Sequence, residues 1–516
     1  MRALLCSVAL WSLWSIPALA QEIPAVIFDQ AVVDDGSDFF LLDFHVPAGT
    51  AEVEVRHASV FDDDTIDFGL EDPAGFRGWG GGNSEPAIVG VDAASRSYRP
   101  GPIPAGTWHV VVGKARLLSA APALHVEVFL RTAPTLPAAT DRAAYVPATL
   151  STTARFYAGD LHVHSEDSGD ARPALDEIAD FARAKGLDFV VLTEHNTDSH
   201  VDKLSPAQAR HPDVLLVPGV EFTTYGGHGN GFGVTGYVDH KIGLTTTIDD
   251  AVTALRAQGG LFTINHPVLD LGEVCIGCAW VHPVPADVDG VEIATGGYSQ
   301  SGFIFADDAR DFWDALLDDG AHLAPVGGSD DHRAGVDVGA FGSPIGDPTT
   351  LVFAENLSVA ALQQGIRDSR TVVKLQGPDD AMIDLQTSPA RSGDSVVDDG
   401  DITLTALITG GLGQRARFLK EGFPFPAEGG GEVDVDADPF TLSRVVQAPV
   451  TGEERWRVEI LVDDHVQVVT GNVWVRRAPP AAGGCDCGGS PALLLGVLLL
   501  LRRTRSVSTR TDRSRM

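Results

Sequence analysis

Residues 159–170 read GDLHVHSEDSGD. His162 and His164 stand two positions apart, directly after Asp160. Alternate residues of a strand point the same way, so the three side chains share one face. Imidazole beside carboxylate suits a divalent metal ion, although a solvated polar strand end has the same composition. The other histidines decide between these readings. Eleven of the 16 histidines lie between residues 156 and 332. The candidate ligands follow short apolar runs: His195 after VVLTE, Glu221 after LLVPGV with His228 shortly beyond, His266 after LFTIN, and Asp330 with His332 after APVGGS. Histidines scattered through a core show no such placement. The donor set suits zinc, manganese or iron, with Glu221 able to bridge two ions. Two or three ions held close together lower the pKa of a bridging water, and the resulting hydroxide is the expected nucleophile. Asp160 is the expected partner orienting His162. His195 or His266 is a candidate to protonate a leaving group. Arg310 and Arg333 are candidate anion clamps, with surface salt bridges as the alternative.

Such ligands need elements that bring strand ends to one place. Over residues 155–377, short apolar runs alternate with helical patterns. Strands are expected at 156–163, 187–193, 214–222, 231–237, 260–265, 288–294 and 322–327. Helical stretches are expected at 173–186, 248–258 and 306–318. Seven strands with helical crossovers predict a distorted (β/α) barrel, whose C-terminal strand ends gather at one mouth. Residues 21–133 alternate in short runs divided by Pro/Gly turns, which predicts a β-sandwich, and the segment resembles known jelly-roll modules. A Pro/Ala/Thr-rich linker is expected at 134–154, and an immunoglobulin-like sandwich at 378–477.

The motifs DLHVHS, LTEHN, PGVEF, INHP and GSDDH, in that order, resemble the polymerase and histidinol-phosphatase (PHP) superfamily over residues 156–335. The resemblance implies a seven-stranded distorted barrel with two or three metals that usually hydrolyses phosphoesters. By position it implies that His162, His164, Glu221 and Asp330 serve one metal, and Glu221, His228 and His266 a second. A third is implied for Asp170, His195 and His332, with Asp167 the competitor of Asp170. The GDLHVHS and TEHNT forms and the flanking β modules look most like an exported branch whose best-known relatives cleave the carbamate ester carbaryl. Two hydrolytic activities are therefore expected as alternatives: phosphoester cleavage, which needs cationic groups in the pocket, and carbamate, ester or amide cleavage, which suits aromatic walls such as Trp280 or Tyr298. A surface-binding protein without catalysis is a third reading. It predicts missing ligands, and none of the nine positions is vacant.

The formal net charge of −34 argues against a nucleic-acid polymer as partner and leaves a small-molecule substrate. Residues 1–20, with Arg2, an apolar run and Ala18-Leu19-Ala20, read as a signal peptide. Residues 478–516 carry Cys485 and Cys487, an apolar run over Pro491–Leu501, and then Arg502, Arg503 and Arg505. That order resembles myxobacterial surface sorting signals; a membrane helix is the alternative, though the run is shorter than the roughly 20 residues a span needs. Either reading puts the body of the protein outside the cytoplasm, secreted or attached at the surface. There, Cys275 and Cys278 are expected to form a disulfide rather than a zinc or redox motif.

Overall fold

A computed structural model describes residues 22–478, apart from 273–274, 297–302, 337, 339–341, 389 and 427–430. The signal-peptide reading, the C-terminal motif and Tyr298 fall outside the described residues. Among the described residues no helix is long and apolar enough to cross a membrane.

The N-terminal segment forms two four-stranded antiparallel sheets. One orders the strands Val26–Ala31, Ala123–Arg131, Glu52–Ser59 and Ala87–Gly90. The other orders Phe39–Val46, Gly106–Arg116, Thr65–Asp72 and Gly75–Gly81. Leu42, Phe44 and Val46 alternate inward on one strand, as do Val110 and Val112 on another. They meet Val53, Val55, Val126 and Val128 of the facing sheet around the fully buried Trp108. Period-two alternation thus becomes a two-layer core.

The central segment contributes seven neighbouring strands to a long mixed sheet. In spatial order these are Arg155–Val163, Phe189–His195, Leu215–Thr224, Gly227–Phe232, Leu261–Ile264, Gly290–Ala294 and Ala324–Gly327. Six run in one direction. Gly227–Phe232 runs antiparallel to both its neighbours. The chain beyond the last strand returns to the first: Asp330 N–H donates to His162 O at 2.9 Å, His164 N–H donates to Asp331 O at 3.1 Å, and Val163 bridges Asp331. The carboxyl ends of the first and last strands therefore meet.

The antiparallel strand corrects the expected strand at 231–237. Thr224 pairs with Gly227, so Tyr225-Gly226 is a two-residue hairpin loop, and GHGNGF offers a single apolar residue from which to read a period. Glycine is needed inside this strand because a Cβ on Gly229 would lie 2.4 Å from the Phe262 ring.

Helices cover the outer face. Leu175–Ala184 buries Leu175, Ile178, Ala179 and Ala182, the stripe expected from the sequence. Glu177 caps it by accepting from Ala174 N–H at 2.9 Å, and Gly186, at φ +76°, ends it. The first strand packs so closely here that a Cβ on Gly159 would meet the Phe189 ring at 2.4–2.5 Å. Gly159→Ala is therefore expected to destabilise the protein by about 1–3 kcal/mol. Urea unfolding checks this, and a wild-type midpoint would contradict the packing.

The C-terminal segment is continuous with the central sheet. Thr349–Ala354 and Thr371–Lys374 extend that sheet, and Val372–Lys374 pairs antiparallel with Val468–Thr470. The strand carrying those partners then pairs with Glu453–Val462. A second sheet, containing Met382–Thr387, Asp401–Thr409 and Phe440–Gln447, packs on it through Ile383, Leu404, Ile408 and Trp456. The expected separate sandwich is thus built on an edge whose hydrogen bonds the central strands would otherwise leave open.

Candidate metal centre

The carboxyl ends of the central strands carry the ligands to one mouth. His162 and His164 leave the first strand, His195 the second and Glu221 the third, while His228 lies on the antiparallel strand. His266 and Asp330 follow the strands Leu261–Ile264 and Ala324–Gly327, both at positive φ (26° and 57°), a strained backbone for non-glycine residues that is characteristic of functional sites.

Glu221, 1 % exposed, is the hub. Its Oε1 lies 3.3 Å from His162 Nε2, 3.2 Å from His228 Nδ1 and 3.4 Å from His266 Nε2. Its Oε2 lies 3.6 Å from His164 Nε2 and 2.8 Å from His195 Nδ1. Asp330 Oδ1 stands 3.3 Å from His162 Nε2 and 3.1 Å from His164 Nε2. Asp170 Oδ2 is 3.4 Å from both His195 Nε2 and His332 Nε2.

These distances are compatible with metal ligation. Charge-assisted N–H···O bonds cluster near 2.7–2.9 Å. Two atoms each about 2.05 Å from a tetrahedral ion are instead roughly 3.4 Å apart. Most of the separations above fall on the longer value. Several of these atoms are also orphaned: His162 Nε2, His164 Nε2 and Asp330 Oδ1 are buried without a hydrogen-bond partner, as is His228 Nε2, the other nitrogen of its ring. A buried polar atom left so is costly, and a cation between them removes the cost. The ligand atoms of His162, His164, Glu221 and Asp330 lie within 4.8 Å of one another, as do those of His164, His195 and His332. The residues fit divalent metal ions.

Behind the ligands, second partners fix the rings. His162 Nδ1 faces Glu292 Oε1 at 3.3 Å, His266 Nδ1 donates to Cys278 O at 3.1 Å, and His332 Nδ1 donates to Asp330 O at 2.9 Å. Each bond commits Nδ1 and turns Nε2 toward the centre, the carboxylate- or carbonyl-backed imidazole typical of metal ligands. Ser168 Oγ meets His164 Nδ1 at 2.9 Å and accepts from His195 N–H at 3.0 Å.

The charges respond to this crowding. Burial alone would raise Glu221, but His162, His195 and His228 hold its carboxyl well below the ordinary range. Burial pushes the His332 imidazole down, and Asp170 and Asp330 outweigh it and lift it to about 9. His164 goes the other way: burial, with His332 and His195 beside it, lowers it to about 3.

The predicted positions divide as follows. His162, His164, Asp170, His195, Glu221, His228, His266, Asp330 and His332 come together. Asp167 does not; it pairs with Lys203 at 2.7 Å and Ser199 at 3.0 Å. Asp160 does not touch the His162 ring. Its carboxylate accepts from the backbone N–H groups of His162, Ser329 and Gly346 at 2.8–3.0 Å, tying three chain segments together. Glu292 takes the place expected of Asp160. Arg310 pairs with Asp307 on the outer helix Phe303–Asp318 and does not line the cleft, whereas Arg333 does. Trp280 is buried against Phe262, behind the hairpin, and is not a cleft wall. Cys275 and Cys278 are disulfide-paired.

A cleft of about 770 Å³ opens over the centre, and its far wall belongs to the N-terminal sandwich, through Asp67, Trp79 and the glycines at 80–82, where the strand Gly75–Gly81 ends. Nothing in a linear reading places that sandwich here. Its Arg96 donates to Ala171 O at 2.8 Å and Ser168 O at 3.3 Å, gripping the loop that carries Asp170, and two bonds to Glu85 hold the guanidinium. A Cβ on Gly169 of this loop would lie 2.2 Å from Gly80 O. Arg96→Ala is expected to lower metal affinity at Asp170, His195 and His332 by about 10–100-fold, as loss of outer partners does. Metal titration checks this; wild-type affinity in the variant would contradict it.

No family model and no curated protein matches the chain. Among solved structures it is similar to a two-domain protein from Bacteroides vulgatus containing a predicted PHP-like metal-dependent phosphoesterase, at 18% identity over 65% of this chain and 99% of that one, with a TM-score of 0.35. It is also similar to an amidohydrolase from Chromobacterium violaceum with bound sulfate and no metal, at 20% identity over 34% of this chain and 88% of that one, TM-score 0.24. The CARDB domain of a Pyrococcus furiosus protein aligns with 19% of this chain at 15% identity, covering 94% of that domain, TM-score 0.14.

Proposed function

We propose that the protein is an exported metal-dependent hydrolase that cleaves phosphoesters, small phosphomonoesters or nucleotides, at this centre. The observation that carries the reading is the set of orphaned imidazole and carboxylate atoms converging around Glu221 at the floor of a cleft. Two or three divalent ions, when bound, supply Lewis acidity and a water of lowered pKa. The chain's own residues do the rest. Glu221 and Asp330 supply negative charge shared between ligand groups, and the backed imidazoles keep their geometry fixed. Arg96, Arg116, Arg172 and Arg333 line the cleft among six acidic residues, Asp67, Glu85, Asp170, Glu221, Asp330 and Asp331, so its positive charge would come from these arginines together with the bound ions. That favours an anionic substrate over a neutral one.

Carbamate or ester hydrolysis is the second reading, supported by Trp79 and Tyr225 in the cleft wall, which suit an aryl group. Export and surface attachment belong to the same proposal, and the Cys275–Cys278 disulfide supports an oxidising compartment.

The test is one metal-loaded sample assayed on p-nitrophenyl phosphate and 1-naphthyl methylcarbamate, with Mn and with Zn. Turnover of the phosphate is expected. Turnover of the carbamate alone would move the assignment to the second reading. No turnover of either with any divalent ion would favour a binding protein without catalysis.

A further inference from the structure

The mechanism lacks a proton donor for the leaving group. His266 is committed at both nitrogens, to Cys278 O and toward Glu221, and His195 is likewise engaged with Thr223, Glu221 and Asp170. A donor must therefore come from elsewhere in the cleft.

We propose that Asp67, a residue of the N-terminal sandwich, is the general acid that protonates the leaving-group oxygen, held in place by Tyr225 of the central domain. Both side chains line the cleft together with His195, Asp170 and His332. Tyr225 Oη donates to Asp67 Oδ2 at 2.7 Å, which fixes the carboxyl across the domain boundary and leaves Oδ1 to carry the proton. The sandwich is cleared for this pair. A Cβ on Gly113 would lie 2.1 Å from Tyr225 Oη and 3.2 Å from Asp67 Cβ, and one on Gly82 would lie 3.2 Å from Asp67 Oδ1. Stacking of Phe39 on Tyr225, at 5.5 Å between centroids and 19° between planes, holds the phenol from behind.

The proton balance also fits. Burial lifts the Asp67 carboxyl to about 6, against the lowering effect of the Tyr225 hydrogen bond, and His195 and Asp170 both act on it through space. A donor with a pKa near the working pH is the efficient one. In the step, a water oxygen forms the new bond to phosphorus and the bond from phosphorus to the ester oxygen breaks. Its electron pair passes to that oxygen, which takes the proton from Asp67. The proton released by the attacking water returns to the carboxylate, so water and ester become alcohol and phosphate.

This inference rests on the phosphoester reading, and one experiment separates the two. Metal-loaded wild type and Asp67→Asn are compared on ethyl phosphate, whose alkoxide needs a proton, and p-nitrophenyl phosphate, whose phenolate needs little help. The substitution is expected to lower kcat on ethyl phosphate by about 100-fold or more, and on p-nitrophenyl phosphate by a factor at least about tenfold smaller, at unchanged metal content. Equal losses on both substrates, or loss of metal from the variant, would overturn the assignment. Wild type inactive on both would overturn the phosphoester reading beneath it. Should Asp67→Asn not fold, Tyr225→Phe carries the same test: a larger loss on ethyl phosphate supports the pair, and equal losses refute it.

Discussion

Glu221→Gln is expected to lose at least one metal ion per chain and to lower the hydrolytic rate by about 10³-fold or more. The amide keeps the volume and removes the charge that five imidazoles share through two oxygens. With Glu221 neutral, Asp330, Asp170 and Glu292 are left as the carboxylates beside the rings, and none of them makes an ion pair with the His228 or His266 ring among the contacts seen. Metal catalysis of this kind supplies several kcal/mol, and each 1.36 kcal/mol is a factor of ten in rate. Elemental analysis and rate are read on the same sample. Wild-type metal content with a lowered rate would show that Glu221 acts in catalysis and does not bridge the ions.

Removing the metals with a chelator is expected to abolish hydrolysis and to lower the melting temperature, with both restored by Mn or Zn. The orphaned atoms of the centre are the reason. Without cations, His162 Nε2, His164 Nε2 and Asp330 Oδ1 stay buried and unpaired. Mass action makes ions at 1,000 times their dissociation constant worth about 4 kcal/mol of folding stability. The melt distinguishes this from simple loss of a catalytic ion. If activity falls and the melting temperature does not move, the ions are not held by this buried set.

The candidate ligands were legible because strands impose order on them. His162 and His164 share a face by alternation, and Glu221, His266 and Asp330 follow apolar runs that could only be strands ending at the mouth. Asp170 was the open choice against Asp167. Spacing alone could not settle it, because the loop turns Asp167 toward Lys203 and leaves Asp170 facing the rings. The antiparallel strand was hidden by its glycines, which pack by their lack of side chains. Glu292 was missed, although its signal was present: a carboxylate inside the apolar run GVEIA, 2 % exposed, demands a buried partner. Ser168 carried no such signal.

Charge alone misplaced Arg310, because sequence does not say which layer of the fold a helix face reaches. Arg96 and Asp67 were beyond reach for a different reason. They act through contacts between segments 72 to 158 residues apart, and only the docking of the sandwich over the mouth brings them to the site.

The most direct test is anomalous X-ray scattering from crystals of the full chain soaked in Mn or Zn. Two or three peaks are expected, each within bonding distance of Glu221, Asp330 or Asp170 and their neighbouring imidazoles. Crystals that take up no ion among these residues would contradict the account at its base.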